Sequence, residues 1–82
     1  MGESINLLIR LRNIFRDIFN DEEMSITEET YRSDIEDWDS VSHVKIVLAV
    51  EEEFAIRLTT DEVASIKSVG GFIAAINRHT EI

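Results

Sequence analysis

Asp39, Ser40 and His43 are the residues whose types and spacing could do chemistry. On a helix, Ser40 and His43 stand three positions and roughly 300° apart, near enough to touch. Serine catalysis also needs a separate orienting acid and an oxyanion hole. Asp39, directly before Ser40, is a strong helix N-cap whose carboxylate accepts backbone N–H groups, so it is engaged elsewhere. No catalytic residue is assigned, and the chain is not read as an enzyme. Ser40 has a different use open to it. In the first turn of a helix its hydroxyl is exposed, and a phosphate on it would lie beside free N–H groups at the positive end of the helix dipole. The position suits a covalently attached phosphate group. Simple capping is the alternative, and on these residues alone it is the simpler account.

Other chemistry is narrower still. Asp34, Glu36 and Asp37 could open a calcium loop, but the twelve-residue pattern would put Lys45 at its last ligand position and lacks the central glycine. There are no cysteines and two histidines, so thiolate sites and His-rich metal centres are excluded. No metal site is expected.

The chain must fold around these residues with few resources. Its 82 residues allow one small domain, read as residues 1–82. A chain of this mass buries roughly 60–65% of its unfolded surface, enough for one modest core and too little for an enclosed catalytic pocket. The balance of 8 basic and 17 acidic residues, 8 − 17 = −9, repels phosphate backbones and anionic lipid heads. Nucleic-acid and membrane binding are therefore not expected, whereas proteins with basic patches would be attracted. The longest apolar runs, of five residues such as Ile46 to Val50, are too short to span a membrane. The stretch from Met1 to Asn6 lacks the basic and apolar regions of a signal peptide and the Ser/Thr of a myristoylation site. A soluble, cytoplasmic monomer is expected.

Proline is absent and glycine occurs three times, which favours helices. The first should run from about Ser4 to Phe19, with Leu7, Leu8, Leu11, Ile14, Phe15, Ile18 and Phe19 on one broad face. Asn20 to Trp38 is a long connection without sustained periodicity, of the kind that is usually functional or mobile. Ser25 to Glu28 has capping-box form and predicts a short helical turn. Tyr31, Ile35 and Trp38 should pin the connection to the helices. A second helix starts at Asp39 or Ser40 and reaches Ala55. A third, short one opens on the Thr59/Glu62 capping box and ends near Ile66. Ser68 then caps a fourth reaching Arg78. Gly70 and Gly71 in its first turn each cost about 1 kcal/mol against alanine, a cost that close helix packing would justify.

The second helix has two apolar faces. His43, Ile46, Val47, Val50 and Phe54 cluster on one side, while Val41, Val44, Lys45, Leu48 and Glu52 cluster nearly opposite. An ordinary surface helix carries one stripe. If the first faces the core, the second is an apolar patch rimmed by charge, which reads as a docking surface, the alternative being that a neighbouring loop covers it. Glu51, Glu52 and Glu53 spread over about 200° of the wheel and cannot converge on one metal. Near a helix C-terminus they oppose the dipole, which suggests salt bridges to a basic partner, a simple solvated charged face being the alternative.

Taken together, Asp39-Ser40-Val41, the apolar-rich helix, Glu51-Glu52-Glu53-Phe54 and then Ile56 resemble the acyl carrier protein family. The resemblance extends from the first helix through Ile76. It implies an all-α, four-helix bundle with a short third helix and a long loop between helices one and two. It also implies that Ser40 carries a 4′-phosphopantetheine arm, added from coenzyme A by a separate phosphopantetheinyl transferase. Asp39 would cap the helix and belong to the recognised motif. Val41, Val44, Lys45, Leu48 and Glu52 would dock partners, namely acyl-loading and acyl-processing enzymes with basic patches. Ile46, Val50 and Phe54 would line a shelter for short or medium acyl chains. The function implied is the carriage of thioester intermediates in fatty-acid, lipid or polyketide-type biosynthesis.

Three positions depart from the family pattern. Lys45 stands where an acidic residue is common on the docking face, and a reversed charge there alters partner choice. His43 replaces a small polar residue and is read as packing under the loop. Trp38 looks more like carriers of specialised pathways. The competing readings are an unmodified acidic adaptor and a peptidyl carrier; the latter usually shows a Gly-rich approach to its serine, unlike Glu36-Asp37-Trp38-Asp39.

Overall fold

Four α-helices form the protein in a computed structural model, which describes residues 2–80 and the side chains of residues 6–80. They are α1 (Gly2–Ile18), α2 (Ser40–Phe54), α3 (Thr60–Ser65) and α4 (Val69–Thr80). No strand occurs among the described residues. The reading of Met1 to Ile5 as free of targeting signals falls outside the described side chains.

Each terminus follows from its residues. Asn20, with φ 53°, takes the left-handed conformation after α1, and the Asp21 N–H reaches back to the Arg16 carbonyl at 3.0 Å. Asparagine tolerates that conformation, so the helix stops there. The Asp39 carboxylate opens α2, and Ala55 at φ 55° closes it. Thr59 and Glu62 form the expected capping box of α3, with reciprocal bonds of 3.1 and 2.9 Å. Ser68 opens α4 by accepting the Gly71 N–H at 3.0 Å.

The core joins Leu11 and Phe15 of α1, Ile46 and Val50 of α2, and Val69, Phe72 and Ile76 of α4. Fully burying such a side chain contributes about 1.5–3 kcal/mol. Phe15 meets the Trp38 ring edge-on at 5.1 Å and the Phe72 ring at 6.4 Å. That aromatic cluster ties the loop to α1 and α4.

The long connection differs from its expected form in two ways. Ser25 to Glu28 forms no helical turn; the single 3₁₀ turn lies at Arg32–Asp34 instead. The Thr27 N–H is taken by the Thr30 hydroxyl at 2.8 Å, which folds the segment as a side-chain-closed turn. Tyr31 does not pin the loop, being 56% exposed, whereas Trp38 is buried and Ile35 half-buried. The anchoring that Tyr31 was expected to give comes from the backbone. Residues 28–32 run antiparallel to the start of α4, with Arg32 N–H to Lys67 O at 2.8 Å, Val69 N–H to Thr30 O at 2.9 Å and Gly70 N–H to Glu28 O at 2.9 Å.

That pairing explains Gly70. A Cβ there would lie 2.7 Å from the Glu28 carbonyl oxygen, a backbone atom that cannot swing away. At Gly71 it would lie 3.3 Å from Ile66 Cγ2, at the end of a side chain. Gly70→Ala should therefore destabilise by about 1–3 kcal/mol despite alanine's better helix propensity. Gly71→Ala should be near neutral. Urea unfolding midpoints test this, and equal midpoints for both variants would mean the loop is not seated on α4.

Glu62 clips α3 to α4, meeting Arg78 at 3.2 Å and His79 at 2.9 Å. The Thr59 N–H, then His79 and Arg78, hold its carboxyl down at about 2. A depressed carboxylate stabilises the fold above its unfolded value of about 4.3 and loses that contribution as pH falls toward the folded value. Glu62→Gln should thus be less stable than the parent at pH 7, with the gap closing between about pH 5 and 2. Thermal melts across that range check it; a gap independent of pH would contradict the clip.

Candidate functional site

The site is built where the loop becomes α2. Asp39, extended at φ −108° and ψ −169°, turns its carboxylate onto the helix and accepts the Ser42 N–H at 2.9 Å. That backbone bond, more than any other contact, holds its carboxyl below the usual carboxylate range. The Ser42 hydroxyl donates to the Asp37 carbonyl at 2.8 Å, and the His43 N–H to the Asp39 carbonyl at 2.8 Å. Ser40 is therefore left as the exposed first residue of α2, its hydroxyl at a helix end where backbone N–H groups lack carbonyl partners.

Arg32 reaches the same point from the 3₁₀ turn. Its Nε donates to the Trp38 carbonyl at 3.2 Å, and its Nη2 stands 3.5 Å from Ser40 Oγ. Beside it opens a cleft of about 500 Å³, bounded by Tyr31, Arg32, Ile35, Trp38 and Lys67 among others. An exposed hydroxyl at a helix N-terminus, with a guanidinium beside it, fits a phosphate ester. Arg32 was not legible as part of the site: it lies eight residues before Ser40 in a segment with no period.

His43 is buried and fully engaged. Trp38 Nε1–H donates to its Nδ1 at 3.0 Å, so the ring proton sits on Nε2, which donates to the Val63 carbonyl at 2.9 Å. Both nitrogens point into contacts away from Ser40, and no Ser–His pair forms. The placement under the loop agrees with the sequence reading.

Along α2, the expected two faces separate. His43, Ile46, Val47 and Val50 are buried, while Val41, Val44 and Leu48 are 64%, 53% and 59% exposed. Lys45 and Glu52 are exposed on the same stripe. The three glutamates divide by task. Glu51 accepts the Leu58 N–H at 2.9 Å, Glu53 meets Arg10 at 2.9 Å, and Glu52 faces solvent. Two of the three carboxylates expected to meet a basic partner are thus spent within the fold. Ile46 and Val50 lie wholly in the core. Phe54 is half-buried beneath the Arg10 guanidinium, 4.2 Å from its ring centroid, at the rim of a second cleft with Leu7 and Ile76.

No family model matches the chain. Individual relatives do. An acyl carrier protein of Lactobacillus acidophilus is 33% identical over 70 residues, covering 85% of this chain and 88% of its own. The chain belongs to the acyl carrier protein family. An acyl carrier protein of Clostridium perfringens is 31% identical over 72 residues, 88% of this chain and 95% of its own. The solution structure of the holo acyl carrier protein from Geobacter metallireducens superposes with a TM-score of 0.80 at 32% identity, covering 88% of this chain and 83% of that one. The all-helical carrier bundle is therefore shared, and members of this family are carriers rather than enzymes. A phosphopantetheine prosthetic group and biosynthetic partner enzymes go with that family. No described helix is long and apolar enough to cross a membrane.

Proposed function

We propose that this acyl carrier protein holds acyl intermediates on a 4′-phosphopantetheine arm attached at Ser40. The observation that supports it most is Ser40 itself: exposed, first in α2, capped by Asp39 and approached by Arg32. In the loading step, a separate transferase removes the Ser40 proton and the hydroxyl oxygen bonds to the β-phosphorus of coenzyme A. The pyrophosphate bond breaks and adenosine 3′,5′-bisphosphate leaves. The arm supplies a terminal thiol that carries an acyl group as a thioester. This chain's own residues then position and present: Asp39 fixes the start of α2, and the N-terminal N–H groups offset the new negative charge.

The exposed stripe of Val41, Val44, Lys45, Leu48 and Glu52 is the proposed docking surface for acyl-loading and acyl-processing enzymes. Its apolar members gain by being covered, and the surrounding acidic field favours basic patches. Lys45 alters that field locally and supports service in a specialised lipid or polyketide-type pathway over general fatty-acid synthesis. Ile46, Val50 and Phe54 are the proposed lining for a sheltered acyl segment. A cytoplasmic monomer, folded as one domain, fits the net charge of −9.

Intact mass after incubation with a broad-specificity phosphopantetheinyl transferase, coenzyme A and Mg²⁺ tests the attachment. The parent should gain one phosphopantetheine; Ser40→Ala should gain none while keeping its helical circular dichroism. No gain in a folded parent, beside a control carrier that is modified, would favour an unmodified adaptor.

Leu48→Ala tests the docking face. Affinity for a loading enzyme should fall roughly tenfold, the scale of a truncated interface anchor. The melting temperature should hold, because Leu48 contributes little to the core. Unchanged binding would place docking elsewhere.

A further inference from the structure

We infer that Arg32 holds the phosphodiester of the Ser40-linked arm and beds its first segment against the cleft beside Trp38. The inference rests on Ser40 being the attachment residue. Arg32 is fixed before any arm arrives: its backbone N–H donates to the Lys67 carbonyl at 2.8 Å and its Nε to the Trp38 carbonyl at 3.2 Å. The guanidinium is therefore pre-oriented, and little rotamer freedom is lost when it takes a further partner.

Its charge is also unspent. Asp34, Glu36, Asp37 and Asp39 surround it in sequence, yet among the described residues Arg32 makes no ion pair. The Asp34 carboxylate is taken by the Tyr31 N–H at 2.9 Å and that of Asp39 by the Ser42 N–H at 2.9 Å. What Nη2 faces instead is the Ser40 hydroxyl at 3.5 Å, the outer limit of a hydrogen bond. A phosphate ester on that oxygen carries its anionic oxygens one bond further out, where the same nitrogen meets them in a charge-assisted contact about twice as strong as a neutral one.

The cleft gives the arm a course to follow. Arg32 forms one wall, with Ser33, Glu36 and Lys67 as the polar part of the cleft and Tyr31, Ile35 and the nearly buried Trp38 as its apolar part, so a chain leaving the phosphate meets the exposed Tyr31 ring first. The dimethyl-bearing pantoyl unit next to the phosphate matches that surface. Arg32 is thus a positioning residue: it decides where the arm rests between partners and takes no part in the thioester chemistry.

The test loads the full chain from ¹³C,¹⁵N-labelled coenzyme A, confirms by mass that Ser40 is modified, and follows arm and protein by NMR. In the loaded parent, the Arg32 Nε–H resonance should shift relative to the unloaded chain, and the pantoyl methyls should show contacts to the Tyr31 and Trp38 rings. Arg32→Gln should lose those contacts, with the docked-to-free ratio of the arm falling roughly fivefold to tenfold, and Arg32→Lys should restore part of it. Because Arg32→Gln also gives up its bond to the Trp38 carbonyl, the unloaded variant supplies its own reference. The contacts in the unsubstituted protein stand independently of it. A loaded parent whose arm is fully mobile and touches neither ring would overturn the inference, as would contacts unchanged in Arg32→Gln. Failure of Ser40 to gain mass removes the attachment reading itself, and the inference with it.

Discussion

Trp38 is the point on which the loop and the second helix both depend. Nineteen residues from Asn20 to Trp38 hold no α-helix or strand, and a stretch of that kind has many conformations to lose on folding. Burying the indole against Phe15 and Phe72, at 5.1 and 6.3 Å, fixes the last residue of the loop in the core. Its three polar groups are all satisfied there, the backbone N–H by the Ile35 carbonyl at 3.1 Å. The indole N–H donates to His43 Nδ1, and the carbonyl accepts from Arg32 Nε. A buried N–H without that partner would cost about 1–3 kcal/mol, so His43 is the complement that makes a tryptophan at this position tolerable. With Trp38 seated, Asp39 has one place to stand, and Ser40 is presented at the surface as a consequence.

The distribution of cations follows a related logic. A chain with net charge −9 repels itself, and two of its arginines, Arg10 and Arg78, are paired with glutamates where they offset that repulsion. Arg10 covers the C-terminal end of α2, bonding both the Glu53 carboxylate and its carbonyl. A cation at that end complements the helix dipole and relieves the three adjacent glutamates. Arg16 satisfies the Met24 carbonyl and Arg78 joins the Glu62 clip. Lys45, by contrast, stands on the apolar stripe of α2 among exposed valines and a leucine, where it contributes little to holding the fold. A charge placed where folding does not require it is free to act on what docks there.

What could be read from the sequence was what short-range rules govern. Apolar periodicity located α1, α2 and α4 and separated the faces of α2. The Thr59/Glu62 box marked α3, and the Asp39-Ser40-Val41 tripeptide with its following helix pointed to the proposed site. The misplacements all lie in the loop. Ser25 to Glu28 has the letters of a capping box, but Thr30 captures the Thr27 N–H before a helix can form, and no sequence rule ranks those two outcomes. Tyr31 has an apolar ring, yet the antiparallel pairing with Lys67 to Gly70 orients its stretch by backbone bonds and leaves the ring exposed. Arg10 with Glu53, His43 with Val63 and Arg32 with the approach to α4 join residues far apart in the chain. Such pairs leave no periodic trace, so the internal use of Glu51 and Glu53 and the whole role of Arg32 were invisible until the fold brought them together.

The close packing of the core constrains how a cargo could be accommodated. Ile46 and Val50 are wholly buried, and interiors at crystalline packing density leave no void for an incoming chain. An acyl segment sheltered beside them must part elements that now touch, gaining about 0.8 kcal/mol for each methylene it removes from water. The elements resist unequally. Leu11, Phe15, Phe72 and Ile76 are fully buried, so moving α1 or α4 opens the centre of the core. The six residues of α3 include none that is buried, and polar ties hold it: the Val63 carbonyl to His43, and Glu62 to Arg78 and His79. Ties of that kind exchange with water at small net cost. Any opening toward Ile46 and Val50 is therefore least costly on the α3 side, where His43 is the first contact to yield, and a sheltered cargo would be felt at Trp38 through the indole bond that His43 accepts.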